Sequence, residues 1–327
     1  LLLGRGLGPA LRALKAGQSI REVGPKWHQG KAGTPTMGGI VFILSSLLCI
    51  VTGWYAMRET GDYKHLLVLA LALMFGLIGF ADDFIKVKKK RNLGLTGLQK
   101  LVLQVLAACL FLAGMHFTNA LTYDLYIPFV REPLVHIPPL VYLTLSVFII
   151  VGCVNAVNLT DGIDGLATGV TLPVMLFFTL VSMTAKQWGL ATFPATLVGA
   201  LGGFLFYNFY PAKTFMGDTG SLYLGGAVCG LAYALDMPLV LLFVGLIYII
   251  ETLSDILQVG YFKLSHGKRI FRMAPLHHHF QKAVQNVDTR VLIDVPKKLV
   301  KENKLVVRFW IIALLLAAFS LATLKMR

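Results

Sequence analysis

Nine stretches of this chain are apolar over a length that can cross a lipid bilayer, whose hydrocarbon core is about 30 Å thick, and no water-soluble fold has use for so many. They fall at residues 37–57, 65–81, 99–118, 138–157, 166–184, 190–209, 219–235, 237–262 and 305–324. Charged residues make up 14% of the 327 and hydrophobic ones 56%, whereas a soluble domain carries about 25% charge to cover its water-facing surface. The chain therefore reads as an all-α polytopic membrane protein. Cys49, Cys109, Cys153 and Cys229 each sit inside an apolar run, without metal-ligand spacing, so a disulfide scaffold is excluded. The opening Leu1-Leu2-Leu3-Gly4 lacks a Met and reads as the tail of an earlier helix. The expectation is about ten transmembrane helices, nine of them complete and the first truncated, in one integral-membrane domain over residues 1–327.

A net charge of +14 would suit nucleic acid if it lined one face. Instead the basic residues lie in short segments between apolar runs, which makes them topology signals. One group is Arg5, Arg12, Lys15, Arg21, Lys26 and Lys31; another is Lys86, Lys88, Lys89, Lys90, Arg91 and Lys100; ten more lie in a long loop over 263–304. Alternating nine spans puts all of these on one side with Lys213 and Arg308, and leaves only Arg58, Lys64, Arg131, Lys186, Lys325 and Arg327 on the other. The crowded side is cytoplasmic by the positive-inside rule. On the opposite side the stretch from Thr118 to Ile137, with its Tyr, Thr, Val and Pro, suggests a small periplasmic hairpin.

The stretches richest in reactive side chains all fall on the cytoplasmic face. Asp82-Asp83 ends an apolar run; a carboxylate there can be a solvated boundary residue, but adjacent acids repel and call for a cation or a proton. In Asn155-Ala-Val-Asn158-Leu-Thr160-Asp161-Gly-Ile-Asp164-Gly165 an apolar helix runs into amides and carboxylates spaced by glycines. That supplies hard oxygen donors on a backbone able to turn around a magnesium-bound phosphate. Phe215-Met-Gly217-Asp218-Thr-Gly220 adds an acid bracketed by glycines, and its Phe is either a core aromatic or a platform for a nucleobase. Lys31 to Gly39 has the composition of a phosphate cradle but fits no P-loop. In His277-His278-His279 consecutive side chains cannot all enter one site, so one or two would act. Glu251 and Asp255 share a helical face inside an apolar stretch, as a functional pair or as packing support. Together these groups suggest metal-assisted phosphoryl transfer involving a lipid. A channel or transporter is the competing class, and no internal repeat supports it.

Taken in order, Lys31 to Gly39, Asp82-Asp83 with Lys86, Asn155 to Gly165, Phe215 to Gly220 and Ala274-Pro275-Leu276-His277-His278-His279-Phe280 resemble the phospho-N-acetylmuramoyl-pentapeptide transferase family of polyprenyl-phosphate N-acetylhexosamine-1-phosphate transferases. The resemblance spans nearly the whole chain. It implies a homodimeric bacterial inner-membrane enzyme that uses Mg2+, with its active site facing the cytoplasm. The implied reaction moves phospho-MurNAc-pentapeptide from UDP-MurNAc-pentapeptide to undecaprenyl phosphate, giving lipid I and UMP for peptidoglycan. Membrane lipids, not nucleic acid, are the other implied partners. By the same resemblance the catalytic residues are Asp82, Asp83, Asp218 and His277, with Asp218 the metal ligand. The implied substrate-binding set is Lys31, Thr36, Lys100, Asn158, Asp161, Asp164, Asn208, Phe215, Gly217, Gln258, Ala274 and His278, with Phe215 stacking on uracil.

A single displacement, with Asp82 orienting the attacking lipid phosphate, and a double displacement through a phospho-enzyme are both compatible with this set. The first is favoured because the attacking phosphate is already an anion near neutral pH. Sister enzymes that transfer GlcNAc-1-phosphate share the acidic motifs, and the Pro275-to-Phe280 run is the feature that separates them. The chain departs from the family between Phe280 and Arg308, where Gln281 to Lys304 is longer than usual and lacks the family's Lys-Gly-Trp. The mixed character of its stretch Val287 to Val300 is compatible with a membrane-surface helix.

Overall fold

The computed structural model describes residue 6 and residues 33–89, 91, 93–125, 135–281 and 291–325. Lys31 and the expected remnant of a first helix lie outside the described residues, as does 282–290 of the long loop. The chain folds into helices α1 (Gly39–Ser46), α2 (Leu48–Thr60), α3 (Lys64–Lys89), α4 (Gly97–Phe117), α5 (Pro139–Thr160), α6 (Leu166–Thr184), α7 (Trp188–Asn208), α8 (Gly217–Ala234), α9 (Leu241–Val244), α10 (Leu246–Leu264), α11 (Leu276–Phe280) and α12 (Glu302–Lys325). Between α4 and α5, β1 (Asp124–Leu125) pairs antiparallel with β2 (Val135–His136).

Helices α3, α4, α5, α6, α7 and α12 are long and apolar enough to cross a membrane, and the protein is a helical polytopic membrane protein. The expected span over 237–262 is instead two segments, Pro238–Val244 and Leu246–Leu264, bent by 80° and countable as a seventh crossing if taken together. Gly245 forms the joint, closing α9 and opening α10. The expected span over 37–57 is interrupted at Leu47. Just before it the hydroxyls of Ser45 and Ser46 donate back to the carbonyls of Val41 and Ile43 and compete with the helical ladder.

The stretch 219–235 is one helix, α8, too rich in Gly, Ser and Tyr to meet the apolarity of a lipid-facing span. The reason is its position: every residue from Thr219 to Ala234 is buried, walled by α3, α5, α1 and α6. A helix that meets protein on all sides can be small and polar where lipid would not allow it. Small residues also set its distance from α3. A Cβ on Gly79 would stand 2.1 Å from the Asp218 carbonyl oxygen, so this glycine lets the Asp82-Asp83 end of α3 close onto the start of α8. Lipid is as apolar as leucine, so this contact is held by packing rather than by the expulsion of water.

Helix α10 reverses the usual amphipathic order. Glu251, Ser254 and Gln258 are buried, while Leu253, Ile256 and Leu257 are exposed. A membrane helix that carries polar groups on its protein-facing side points them at an interior site. The long loop is also fixed differently from the expected surface helix. Its described part from Val291 to Val300 is non-helical and is joined at its ends by parallel bridges from Arg269 to Val291 and from Gln281 to Val300. Pro296 lacks an N–H, and the backbone donors of Leu292 and Ile293 go to the carbonyls of Arg269 and Ile270 instead of to a helical turn.

Candidate active site

Three carboxylates from two helices meet at one point. Asp82 and Asp83 come from the last turns of α3 and Asp218 from the first turn of α8, and one ligand oxygen from each lies within 4.8 Å of the others. Lys86 and Lys100 hold them together. Lys86 Nζ is 2.5 Å from Asp82 and 3.0 Å from Asp218, and Lys100 Nζ is 3.2 Å and 2.6 Å from the same two acids. Lys86 reaches Asp82 because the two are four residues apart on one helical face. Lys100 is aimed by a local device: Thr96 Oγ1 accepts from the Gln99 N–H while Gln99 Oε1 accepts from the Thr96 N–H. This capping box fixes the first turn of α4 and stabilises it by about 1 kcal/mol.

Other oxygens of the cluster accept hydrogen bonds from the backbone and from neutral side chains. Asp82 Oδ1 accepts from the Leu95 N–H at 2.8 Å, and Asp83 Oδ2 accepts from the N–H and hydroxyl of Thr219 at 2.9 and 2.7 Å. Asn158 Nδ2 donates to Asp218 Oδ1 at 3.0 Å and to Ser221 Oγ at 2.7 Å. Asp161, just beyond the end of α5, feels the same charges. Burial first, then the carboxylates of Asp218, Asp83 and Asp164, push its carboxyl well above the ordinary range. An all-oxygen donor set with surplus negative charge fits a hard divalent cation, and the two ammonium groups supply that neutralisation here. Asp218 would hold such an ion, with Asp82 and Asp83 beside it.

The other expected residues divide by what they touch. Thr36 is half-buried against the cluster: a Cβ on Gly217, whose φ is +70°, would lie 2.8 Å from Thr36 Oγ1 and 2.5 Å from Asp83 Oδ2. The Gly33–Gly39 loop docks on the Phe215 segment, the Phe215 N–H donating to the Pro35 carbonyl and the Gly38 N–H to that of Phe215. Asn208 and Asp164 shape the adjoining loop. Asn208 accepts from the Thr168 hydroxyl and donates to the Thr214 carbonyl, and Asp164 accepts from the Ala212 N–H while its own N–H donates to Glu302. Gln258 pins the loop after α10, accepting from the N–H groups of Ile270 and Phe271. Ala274 is half-buried at the entry to α11.

The three histidines part company as their adjacency demands. His277 is wholly buried against Glu251, His278 bonds Gln281, and His279 bonds the Arg272 N–H through Nδ1 and the Val295 carbonyl through Nε2. His279 is therefore a loop fastener. Burial lowers its pKa, consistent with a ring that is neutral and fully bonded. Lys86, Ser221 and Glu251 also belong here although the resemblance assigned them no role. Helical spacing could have found the first two, since Lys86 lies four residues after Asp82 and Ser221 three after Asp218.

Comparison with known proteins agrees with this geometry. The family model "Glycosyl transferase family 4" matches residues 65–236, and "Phospho-N-acetylmuramoyl-pentapeptide-transferase signature 1" matches residues 31–43. Over 276 residues the chain is 49% identical to the phospho-N-acetylmuramoyl-pentapeptide-transferase of Clostridium acetobutylicum, covering 84% of each protein. This chain belongs to the phospho-N-acetylmuramoyl-pentapeptide-transferase family. The relatives from Acetivibrio thermocellus and Bacillus subtilis are each 44% identical, matching 100% and 98% of this chain and 92% and 93% of their own lengths. The glycosyl-transferase match takes in Asp82, Asp83, Lys100, Asn158, Asp161 and Asp218, so the family region contains the carboxylate cluster.

Proposed function

We propose that this protein transfers phospho-MurNAc-pentapeptide from UDP-MurNAc-pentapeptide to undecaprenyl phosphate, producing lipid I and UMP at the cytoplasmic face of a bacterial inner membrane. The observation that carries the reading is the Asp82, Asp83 and Asp218 cluster bridged by Lys86 and Lys100, in a chain that matches 92% and 93% of the length of two relatives bearing the transferase name. Magnesium, which Asp218 would hold, would supply positive charge to neutralise the diphosphate. Asp218 and Asn158 hold that side of the site. Lys86 and Lys100 swing from carboxylate to phosphate oxygens as substrate arrives, and Asp82 orients the lipid phosphate for in-line attack on the phosphorus bonded to the sugar oxygen. The bond between the two phosphorus atoms' bridging oxygen and that phosphorus breaks, and UMP leaves with the bridging oxygen. The homodimer implied by the family resemblance belongs to the same proposal.

The test is donor choice by purified protein in detergent, with undecaprenyl phosphate, magnesium and either UDP-MurNAc-pentapeptide or UDP-GlcNAc. UMP release from the pentapeptide donor alone is the expected result. Release from UDP-GlcNAc alone moves the protein to the sister activity.

A further inference from the structure

The pairing of Glu251 with His277 has no part in the mechanism above. A single carboxylate oxygen, Glu251 Oε2, lies 3.0 Å from His277 Nδ1 and accepts from the His277 N–H at 3.2 Å. Both side chains are completely buried. The carboxylate only accepts, so the proton between them sits on Nδ1. In the neutral ring this leaves Nε2 with its lone pair, and that atom is buried with no hydrogen-bond partner among the described residues. That atom faces Gly162, in the turn that carries Asp161: a Cβ on Gly162 would stand 2.3 Å from it. Two separately folded motifs are thus matched at one atom, α10 and α11 aiming the ring and the turn after α5 leaving room for it.

Capping alone does not account for the arrangement. It would explain the bond to the His277 N–H but not the one to the ring, nor a buried nitrogen that packs against the Gly162 turn and is left without a hydrogen-bond partner. Other buried atoms, on His65 and Ser182, also lack hydrogen-bond partners among the described residues; His277 Nε2 is set apart because the ring's other nitrogen is held by a carboxylate, which fixes how the free one points. We propose that Glu251 is a positioning residue, which holds His277 in its Nδ1–H form and presents Nε2 as an acceptor to an O–H or N–H donor of the bound nucleotide sugar. This rests on the transferase reading, and it adds to that reading which atom of His277 meets the substrate and what aims it. The logic is that of a carboxylate that fixes the tautomer of a ligand-facing histidine.

Nitrogen-15 spectra of histidine-labelled protein in detergent, with His277→Ala to assign the signal, test the claim without substrate. The expected wild-type spectrum has His277 protonated at Nδ1 and bare at Nε2, and Glu251→Leu shifts the ring toward the Nε2–H form. An Nε2–H ring in the wild type, or an unchanged ring in Glu251→Leu, overturns the proposal. Transfer assays then separate positioning from folding. Glu251→Leu is expected to lose about 10- to 100-fold in kcat/KM, Glu251→Gln to recover about tenfold of that loss, and Glu251→Leu/His277→Ala to be no worse than His277→Ala. Losses that multiply in the double variant, or no recovery with Gln, also overturn it. Should the wild type transfer nothing from any UDP-sugar, the transferase reading fails while the spectra still decide the role of Glu251.

Discussion

Four side chains converge on Asp218: Lys86, Lys100 and Asn158 bond its oxygens, and Asp83 holds the next residue, Thr219. Asp161 lies beside this acid, and its burial, followed by the carboxylates of Asp218, Asp83 and Asp164, makes a further negative charge costly there. Its carboxyl is pushed well above the ordinary value of 3.8, so above about pH 4 the folded protein holds a proton there that the unfolded chain has released. Folding stability from this group is therefore greatest at low pH and falls as pH rises through that window. Asp161→Asn is expected to raise the melting temperature at pH 7 in EDTA, flatten its decline from pH 4 upward, and reduce transfer. A variant with the wild-type pH slope would contradict this. At Gly79 the constraint is steric. Gly79→Ala forces a methyl against the Asp218 carbonyl and is expected to cost about 1–3 kcal/mol, read as a lower melting temperature in detergent.

Among the elements, α8 and α10 differ from ordinary lipid-facing spans. Helix α8 is buried from Thr219 to Ala234 and α10 turns its polar face inward. The apolar stretches of the sequence located both, but composition could not say that α8 would be enclosed by its neighbours or that Gly245 would bend the next segment by 80°. Those outcomes depend on which helices pack together, which a single sequence does not carry. The same limit applies to the long loop. Its mixed composition suggested a surface helix, whereas Val291 to Val300 is non-helical and bridged at its ends to Arg269 and Gln281. Arg272 clamps it, bonding the carboxylate and carbonyl of Asp294 and the Pro296 carbonyl. Asp294 is 64% exposed, against 11% for Arg272, and an exposed partner makes such a pair weak. Asp294→Ala is expected to change global stability by less than about 1 kcal/mol while speeding proteolysis between 282 and 300. Global unfolding of that variant would show the strap to be part of the core.

Across the whole molecule, the sequence motifs come together at one end of α3. Asp82, Asp83, Asn158, Asp161 and Asp218 are more than 130 residues apart at the extremes yet share one cluster. Their residue types were legible in the sequence. Their bonding was not: Asp164, one of the carboxylates spaced by glycines, and Asn208, assigned to the substrate by the resemblance, also hold loops through Ala212 and Thr214. The asymmetry of lysine and arginine fixes an expected orientation, with Lys213 cytoplasmic and Asp124 periplasmic. Single cysteines at those two positions, in a background with the four native cysteines replaced, are expected to react with a membrane-impermeant maleimide from opposite sides of sealed vesicles. Labelling of both from one side would invert or break that topology.

In the proposed function, Asp82, Asp83 and Asp218 form the centre at which a phosphosugar passes to a lipid phosphate. Radiolabelled phosphosugar can be followed from UDP-MurNAc-pentapeptide into the lipid phase with undecaprenyl phosphate and magnesium, comparing wild type with Asp218→Asn at equal folded concentration. The wild type is expected to give a labelled lipid and equimolar UMP, abolished by EDTA, and Asp218→Asn to lose at least about 100-fold. Wild-type rates in a folded Asp218→Asn protein would contradict it.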